Sequence, residues 1–313
     1  MRGMANSDTL SQLRLRHYRL LQAISQYGQL SVAADMLSMT QPAASRMLAE
    51  IERLVGEPLF RRHPKGMQAT ASGEVLARRA GWILSGIDEA EAELAAVREG
   101  RRGSVRVGAV TGAAVAHVVP AIQALTPEAR AAEVHLEVGP SGRLMTGLDA
   151  GEFDFTLCRV PSQTDSQMFE ILRGHEEDVR FLVRVGHPLL DRGPLTIRDL
   201  DGYGWVIMAP GTPLRQGVED AWLSAGIAPP REILNSASLL VSMAHIRTSD
   251  AIAPVAREVG DLICGTGRGA FVELPVTPGL LLSPYHLIRH RSRPISPLAE
   301  RLLTLVMDGM AKP

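Results

Sequence analysis

From Leu76 onward, seven apolar residues recur at alternating intervals of four and three: Leu76, Ala80, Ile83, Ile87, Ala90, Leu94 and Val97. This is an a/d seam held over about three heptads, and such a seam belongs to a long helix that lies along another helix. Arg78, Arg79, Asp88, Glu89, Glu91, Glu93 and Arg98 fall outside the seam and keep the remaining faces in water. Pairing between two chains accounts for the pattern. A helix packed on its own domain is the alternative, because alanines weaken the seam. Residues 71–99 therefore read as a linker and dimerisation helix, followed by a hinge at 100–103, Gly100-Arg101-Arg102-Gly103. Cut here, a chain of 313 residues leaves a small front module and a larger rear one, each able to bury its own core.

The front module, residues 13–70, reads as three short helices and a hairpin. Leu13, His17, Leu20, Leu21, Ile24 and Tyr27 keep helical spacing, with Gly28 as the stop. Ser31 is positioned to cap a second helix whose apolar face is Val32, Ala33, Met36 and Leu37. Thr40 caps a third, with Pro42 in the first turn, where a missing N–H costs nothing. Its inward face reads as Ala43, Met47, Ile51 and Leu54. Leu59 to Thr70 follows as a two-stranded hairpin with its tip at Pro64-Lys65-Gly66.

Two capped helices across a short turn, with Ala33 and Ala34 small enough for a close crossing, have the layout of a helix-turn-helix. Gln41, Ala44, Ser45 and Arg46 then face outward near the start of the second of them. Glutamine can read adenine and arginine guanine bidentately. Thr40, Ser45 and the N–H groups of a helix start suit phosphates, and Ser31 and Pro42 stand at such starts. Arg61, Arg62 and Lys65 on the hairpin can reach a neighbouring backbone or minor groove. An ordinary helical domain with solvated arginines is the competing reading.

Net charge tests this. The total of −1 argues against a nucleic-acid partner, but residues 1–102 hold 14 basic and 11 acidic side chains, and the rest hold 19 and 23. A front at +3 and a rear at −4 is the asymmetry expected when only one module meets phosphate. Only Lys65 and Lys312 among the 33 basic residues are lysines, a bias that suits bidentate recognition and that genomic base composition also explains. No apolar run reaches the ~18 residues of a membrane span. Met1 to Thr9 lacks the apolar core of a signal peptide. Two cysteines, Cys158 and Cys264, cannot build a disulfide framework, so a cytoplasmic location is expected.

Behind the hinge, strand-like runs at 105–110, 134–138, 153–157, 179–185, 204–208, 232–234, 251–253 and 280–288 alternate with helical ones at 114–125, 142–150, 214–225 and 239–247. Alternation of this kind predicts an α/β fold with parallel sheets, which place ligands beyond the carboxyl ends of the strands. Thr111-Gly112, Gly139-Pro140-Ser141-Gly142 and Pro210-Gly211-Thr212-Pro213 stand at such strand ends and start helices, where free N–H groups favour an anion. Arg159 and Arg215 are candidate forks for a carboxylate. Gly265-Thr266-Gly267-Arg268-Gly269 reads as a loop, since it neither follows a strand nor opens a nucleotide-binding helix. The nine histidines show no metal spacing, and Ser283 and His286 stand in no nucleophile-elbow motif, so neither catalysis nor a cofactor nor a metal is expected.

Thr40-Gln41-Pro42-Ala43-Ala44-Ser45-Arg46, Ile51-Glu52 and Val55-Gly56-Glu57-Pro58-Leu59-Phe60-Arg61-Arg62 together resemble the winged helix-turn-helix signature of LysR-type transcriptional regulators. Thr70-Ala71-Ser72-Gly73-Glu74 is similar to that family's entry into its linker helix. Val107-Gly108, Gly151-Glu152-Phe153-Asp154 and Gly186-His187-Pro188-Leu189 extend the resemblance through the rear module. Met39–Arg46 and Val179–Leu190 look most like the branch containing galactose-binding-protein regulators and regulators of aromatic ring cleavage.

The resemblance implies an effector domain at 104–313 similar to type 2 periplasmic binding proteins. One lobe would take about 104–165 with 279–313, the other about 166–278, and a small effector would sit between them: a carboxylate, sugar acid or aromatic acid. Ser141 matches the family's polar pocket position, and an apparent one-residue insertion blurs the match at Thr111. The implied partners are double-stranded DNA, a second copy through the linker helix, a homotetramer, and RNA polymerase. Two rivals remain open: a redox-sensing regulator acting through Cys158 and Cys264, and an α/β ligand-binding protein whose front helices only oligomerise.

Overall fold

The computed structural model describes residues 12–64, 66–98, 103–126, 132–161, 166–265 and 269–311. It divides into two compact units. One is formed by the residues up to 104 with 131–133 and 146–153, the other by 105–130, 134–145 and 154–313.

In the first unit, α1 (Leu15–Tyr27) buries His17, Leu20, Leu21, Ala23 and Ile24 and stops at Gly28, left-handed at φ 66°. α2 (Leu30–Met36) is capped two residues earlier than expected. Gln29 is its N-cap, and Ser31 lies exposed inside the first turn, because buried Leu30 draws the helix start into the core. α3 (Gln41–Val55) starts as anticipated at Thr40, whose hydroxyl accepts from the Ala43 N–H at 3.4 Å, and ends at left-handed Gly56. Its buried stripe is Ala44, Leu48 and Ile51, one residue on from the predicted Ala43 and Met47. Ala44 is fully buried together with Ala33 and Ala34, since no larger side chain fits where the two helices cross. The expectation that Ala44 faces outward is therefore corrected.

The hairpin pairs β1 (Phe60–His63) with β2 (Gly66–Ala69), Phe60 opposite Ala69 and His63 opposite Gly66. Glu52 Oε1 accepts from the N–H groups of Leu59 and Phe60 at 2.8 and 3.1 Å, which fixes where β1 leaves the core. At its far end the Met67 N–H donates to the Gly28 carbonyl at 2.7 Å. A Cβ at position 66 would stand 2.2 Å from that oxygen, so only glycine fits. α4 (Ala71–Arg98) has 28 residues, about 42 Å at 1.5 Å per residue. Its Leu76, Ala77, Ala80 and Leu84 are buried, whereas Val75, Ile83 and Leu94 are 50%, 40% and 59% exposed. The side chain of Val97, last in the seam, lies outside the described residues, as do the hinge residues 100–102.

The second unit is built on a sheet ordered β10 (Phe271–Leu274), β6 (Phe169–Arg184), β11 (Leu280–His290), β5 (Phe155–Cys158), β3 (Ser104–Ala109) and β4 (Glu133–Val138). β9 (Ala253–Ala256) also pairs with β6. β3 and β5 are parallel, but β11 runs antiparallel to both β5 and β6, and β9 and β10 antiparallel to β6. The sheet is mixed rather than parallel because β6 and β11, 16 and 11 residues long, pair along most of their lengths in opposite directions. A parallel pair, β7 (Trp205–Ile207) and β8 (Ile233–Asn235), completes the strands. Besides a core of Leu182, Val206, Met243, Ile246, Ala253 and Val259, two separate cores result. One gathers Val105, Val107, Phe155, Leu157, Tyr285 and Leu287 under α10 (Pro297–Ala311). The other gathers Phe181, Val183, Trp205 and Ile207 against Val218 and Trp222 of α7 (Pro213–Ala225).

Between β3 and β4 runs α5: Thr111–Ala113, a π-turn Ala114–Val118, and Val119–Gln123. A π-turn is one extra residue folded into a helix. The turn carries buried His117, whose Nε2 lies 2.9 Å from the Tyr285 hydroxyl, with the His175 ring edge-on at 5.1 Å. α6 (Ser141–Ala150), α8 (Leu239–Ile246) and α9 (Arg257–Cys264) complete the helices used below.

Candidate functional site

On the first unit, Thr40, Gln41, Pro42 and Arg46 are exposed along the first turns of α3, and Ser45 is half-buried. The opposite face of the helix is core, so these residues form its outer ridge. Arg46 folds back along it, Nε donating to the Pro42 carbonyl at 3.4 Å. Ser31, Gln41 and Arg62 line one shallow groove with Gln29 and His63, between the starts of α2 and α3 and the hairpin. Arg61, next along the strand, is exposed on the other face of the hairpin beside Gln68 and Thr70. Lys65 lies outside the described residues. Arginines beside a helix N-terminus attract phosphate, and Gln41 and Arg46 bring the hydrogen-bond forks that read base edges.

On the second unit, a cavity of about 210 Å³ takes its lining from residues of all three cores. Five of the six anticipated positions line it: Thr111 and Gly112 from the start of α5, Ser141 from α6, Arg159 just past β5, and Thr212, the N-cap of α7. Arg215 does not. Its guanidinium is buried, Nε donating to Glu219 Oε1 at 2.6 Å and Cζ 5.6 Å from the Trp222 ring. The reason is helical rotation: Thr212, Pro213 and Leu214 line the cleft, and at ~100° per residue the next side chain turns into the core.

Arg159 is not an open fork. Its N–H donates to Ser141 Oγ at 3.1 Å, its Nε to the Ser283 carbonyl at 2.7 Å, and its Nη2 to Glu177 Oε2. Glu177, on β6, also lines the cleft, and both side chains are about nine-tenths buried. Gly112 makes room for it: a Cβ there would stand 2.5 Å from Glu177 Oε1 and 2.8 Å from the Ala256 Cβ. Glu177 was not anticipated, because the strand-like run was started at Val179. Its signal was the acidic run Glu176-Glu177-Asp178 leading into that strand. Ser236 and Ser242, which add hydroxyls to the lining, carried no motif.

Cys158 is buried with its Sγ 3.6 Å from Thr156 Oγ1, and burial pushes its thiol up to about 11. Burial, then Glu273 and Asp261, also raises Cys264. Both are free, and both are held as thiols, the unreactive form. Among the described residues no group of His, Cys, Asp and Glu could hold a metal ion, and no helix is long and apolar enough to cross a membrane.

A winged helix-turn-helix, a 28-residue helix and an α/β unit with a largely apolar cleft that carries a few convergent polar groups define a ligand-responsive DNA-binding protein. Residues 15–74 match the bacterial regulatory helix-turn-helix family of the lysR type, and residues 98–311 match the LysR substrate binding domain. The chain belongs to the LysR family: it is a DNA-binding transcriptional regulator with an effector-binding domain, and not an enzyme. It is 40% identical over 253 residues to the HTH-type transcriptional regulator GbpR of Rhizobium radiobacter, covering 80% of this chain and 84% of that one. To GbpR of Azospirillum brasilense it is 35% identical over 300 residues, 96% of this chain and 87% of that one. The crystal structure of CbnR, a LysR family transcriptional regulator, shares the fold at a TM-score of 0.59 and 19% identity, over 96% of this chain and all of CbnR.

Proposed function

We propose that residues 13–70 hold duplex DNA, with Gln41 and Arg46 reading base edges and Ser31, Thr40, Pro42, Ser45, Arg61, Arg62 and Lys65 set along the backbone. Residues 71–99 pair two copies into a homodimer, 100–103 form the hinge, and 104–313 sense a small molecule as part of a homotetramer that works with RNA polymerase in the cytoplasm. The sensing unit divides at about 165/166 and 278/279, a division that the separate cores around Phe155 and Phe181 support except at Leu280 and Leu282, which pack with the latter. A ligand that binds one arrangement of the lobes better than another shifts their populations, and with them the spacing of the DNA contacts.

The observation that carries this reading is the cleft, where Thr111, Gly112, Ser141, Arg159 and Thr212 converge from four separate strand ends on one cavity. About 210 Å³ is small for a ligand site, which typically runs ~300–1,000 Å³, so the effector is a compact organic molecule. The Arg159–Glu177 pair weighs against the anticipated carboxylate, sugar acid or aromatic acid. An acid would have to draw Arg159 away from Glu177 while lying beside that charge, and breaking a buried pair costs ~3–5 kcal/mol. The test is fluorescence anisotropy of the full-length protein on duplexes that it selects from a random pool, with and without small-molecule panels. A DNA affinity that no bound ligand alters would overturn the sensor reading.

A further inference from the structure

Arg159 and Glu177 use only part of their hydrogen-bonding capacity on each other. Among the described residues, Arg159 Nη1 and Glu177 Oε1 have no hydrogen-bond partner, yet neither atom is sealed from solvent, and both side chains line the cleft. The ion pair therefore presents a spare donor group, Nη1, and a spare acceptor, Oε1, to the same cleft. Its charges already cancel, and its geometry is held by the Ser283 carbonyl on Arg159 Nε.

We infer that the cleft takes an uncharged vicinal diol, one hydroxyl donating to Glu177 Oε1 while the oxygen of its neighbour accepts from Arg159 Nη1. This rests on the sensor reading of the same cleft. A diol satisfies both spare atoms without disturbing the pair, whereas a carboxylate has no proton for Glu177. Glu258 stands near the same spot: among the described residues its buried Oε2 has no hydrogen-bond partner, its Oε1 meets Arg257 Nη2 at 3.4 Å, and Oε2 would lie 3.5 Å from a Cβ at Gly112. Ser141 Oγ accepts the Arg159 N–H and keeps its own proton to donate, and Thr111 adds a second hydroxyl. Hydroxyls that give and accept suit a molecule bearing further hydroxyls better than an amide, the other neutral group with adjacent donor and acceptor. Val206, Ile207 and Leu214 supply an apolar wall for one face of a single ring. A sugar ring and an ortho-dihydroxybenzene share this chemistry.

The experiment is thermal unfolding and calorimetric titration of the full-length protein with D-glucose, D-galactose, L-arabinose and catechol. Matched probes are monodeoxy sugars and phenol, the acids gluconate and benzoate, and the carboxamide nicotinamide. At least one diol is expected to raise the Tm and to lose tenfold or more in affinity on removal of one hydroxyl. Which arm responds separates sugar from catechol. Glu177→Gln keeps the shape and removes the charge, so diol affinity should fall at least tenfold while that of gluconate or benzoate rises. A merely structural role for Glu177 would move both in the same direction and so overturn the assignment. Should that variant fail to fold, the wild-type ranking of diol, deoxy analogue and acid decides alone. Stabilisation by the acids or nicotinamide only, or by none of the probes, overturns the diol assignment. Diol binding that leaves DNA affinity unchanged supports the diol assignment and overturns the sensor reading instead.

Discussion

Arg46 and Arg159 have the same side chain in opposite settings. Arg46 lies exposed on α3, tied only to the Pro42 carbonyl, and is free to exchange that bond for a base edge. Replacing it with alanine should cost ~1–3 kcal/mol on a selected duplex and relax base choice at one position, read by competition between single-base variants. Unchanged selectivity would remove Arg46 from the reading set. Arg159 is committed on three sides and acts through what it leaves over. His117 makes a different prediction. Burial, then the neighbouring His175, lowers it from 6.5 to about 4, so the fold keeps it neutral. Below pH 6.5 the unfolded chain takes up a proton that the folded one refuses, so this contribution is complete above 6.5 and is lost as pH falls towards 4. At 1.36 kcal/mol per unit it amounts to ~3 kcal/mol. The denaturation midpoint should drop over that window, and His117→Gln should flatten the drop.

At the scale of elements, the hairpin and the two helices behind it were legible because local chemistry and packing agree. Thr40, Pro42 and Gly56 mark the ends of α3, and the seam residues mark α4. Helix phase was less legible. Ala43 and Ala44 are identical in kind, and only the crossing with α2 decides that Ala44 goes inward. The first half of β6 was missed because Glu170, Arg173, Glu176, Glu177 and Asp178 hide a strand whose partners are remote in sequence. β10, α9 and α10 were passed over as well, which left Glu177 unplaced in the candidate site. The hairpin offers a test of how elements cooperate. Gly66→Ala would drive a methyl into the Gly28 carbonyl, so β2 must detach from the α1–α2 turn. DNA affinity should fall with little change in the far-ultraviolet spectrum. Full affinity would mean that the hairpin is positioned by other contacts.

For the molecule as a whole, the charge average conceals a division of labour between a front at +3 and a rear at −4. DNA affinity should therefore fall steeply with salt, log affinity against log salt giving a straight line whose slope counts the phosphates neutralised. A flat line would contradict phosphate-led binding. α4 divides along its length: Leu76 and Ala80 complete the front core, while Ile83 and Leu94 are exposed on the stretch proposed to pair with a second copy. Ile83→Glu with Leu94→Glu should yield monomers by analytical ultracentrifugation without lowering the Tm of the front unit. DNA affinity should fall with it, since two linked sites bind more tightly than one.

The π-turn at Ala114–Val118 sits between a cleft-lining end and a core-packing end of the same helix. Upstream of it Thr111 and Gly112 line the cleft; downstream Ala121 packs in the core. The extra residue sets the rotation of the helix start relative to its core-packed end. Removing one residue there would rotate Thr111 by ~100° relative to the core. New ligand preferences are thus within reach of a single-codon deletion, a route that side-chain substitution alone does not offer.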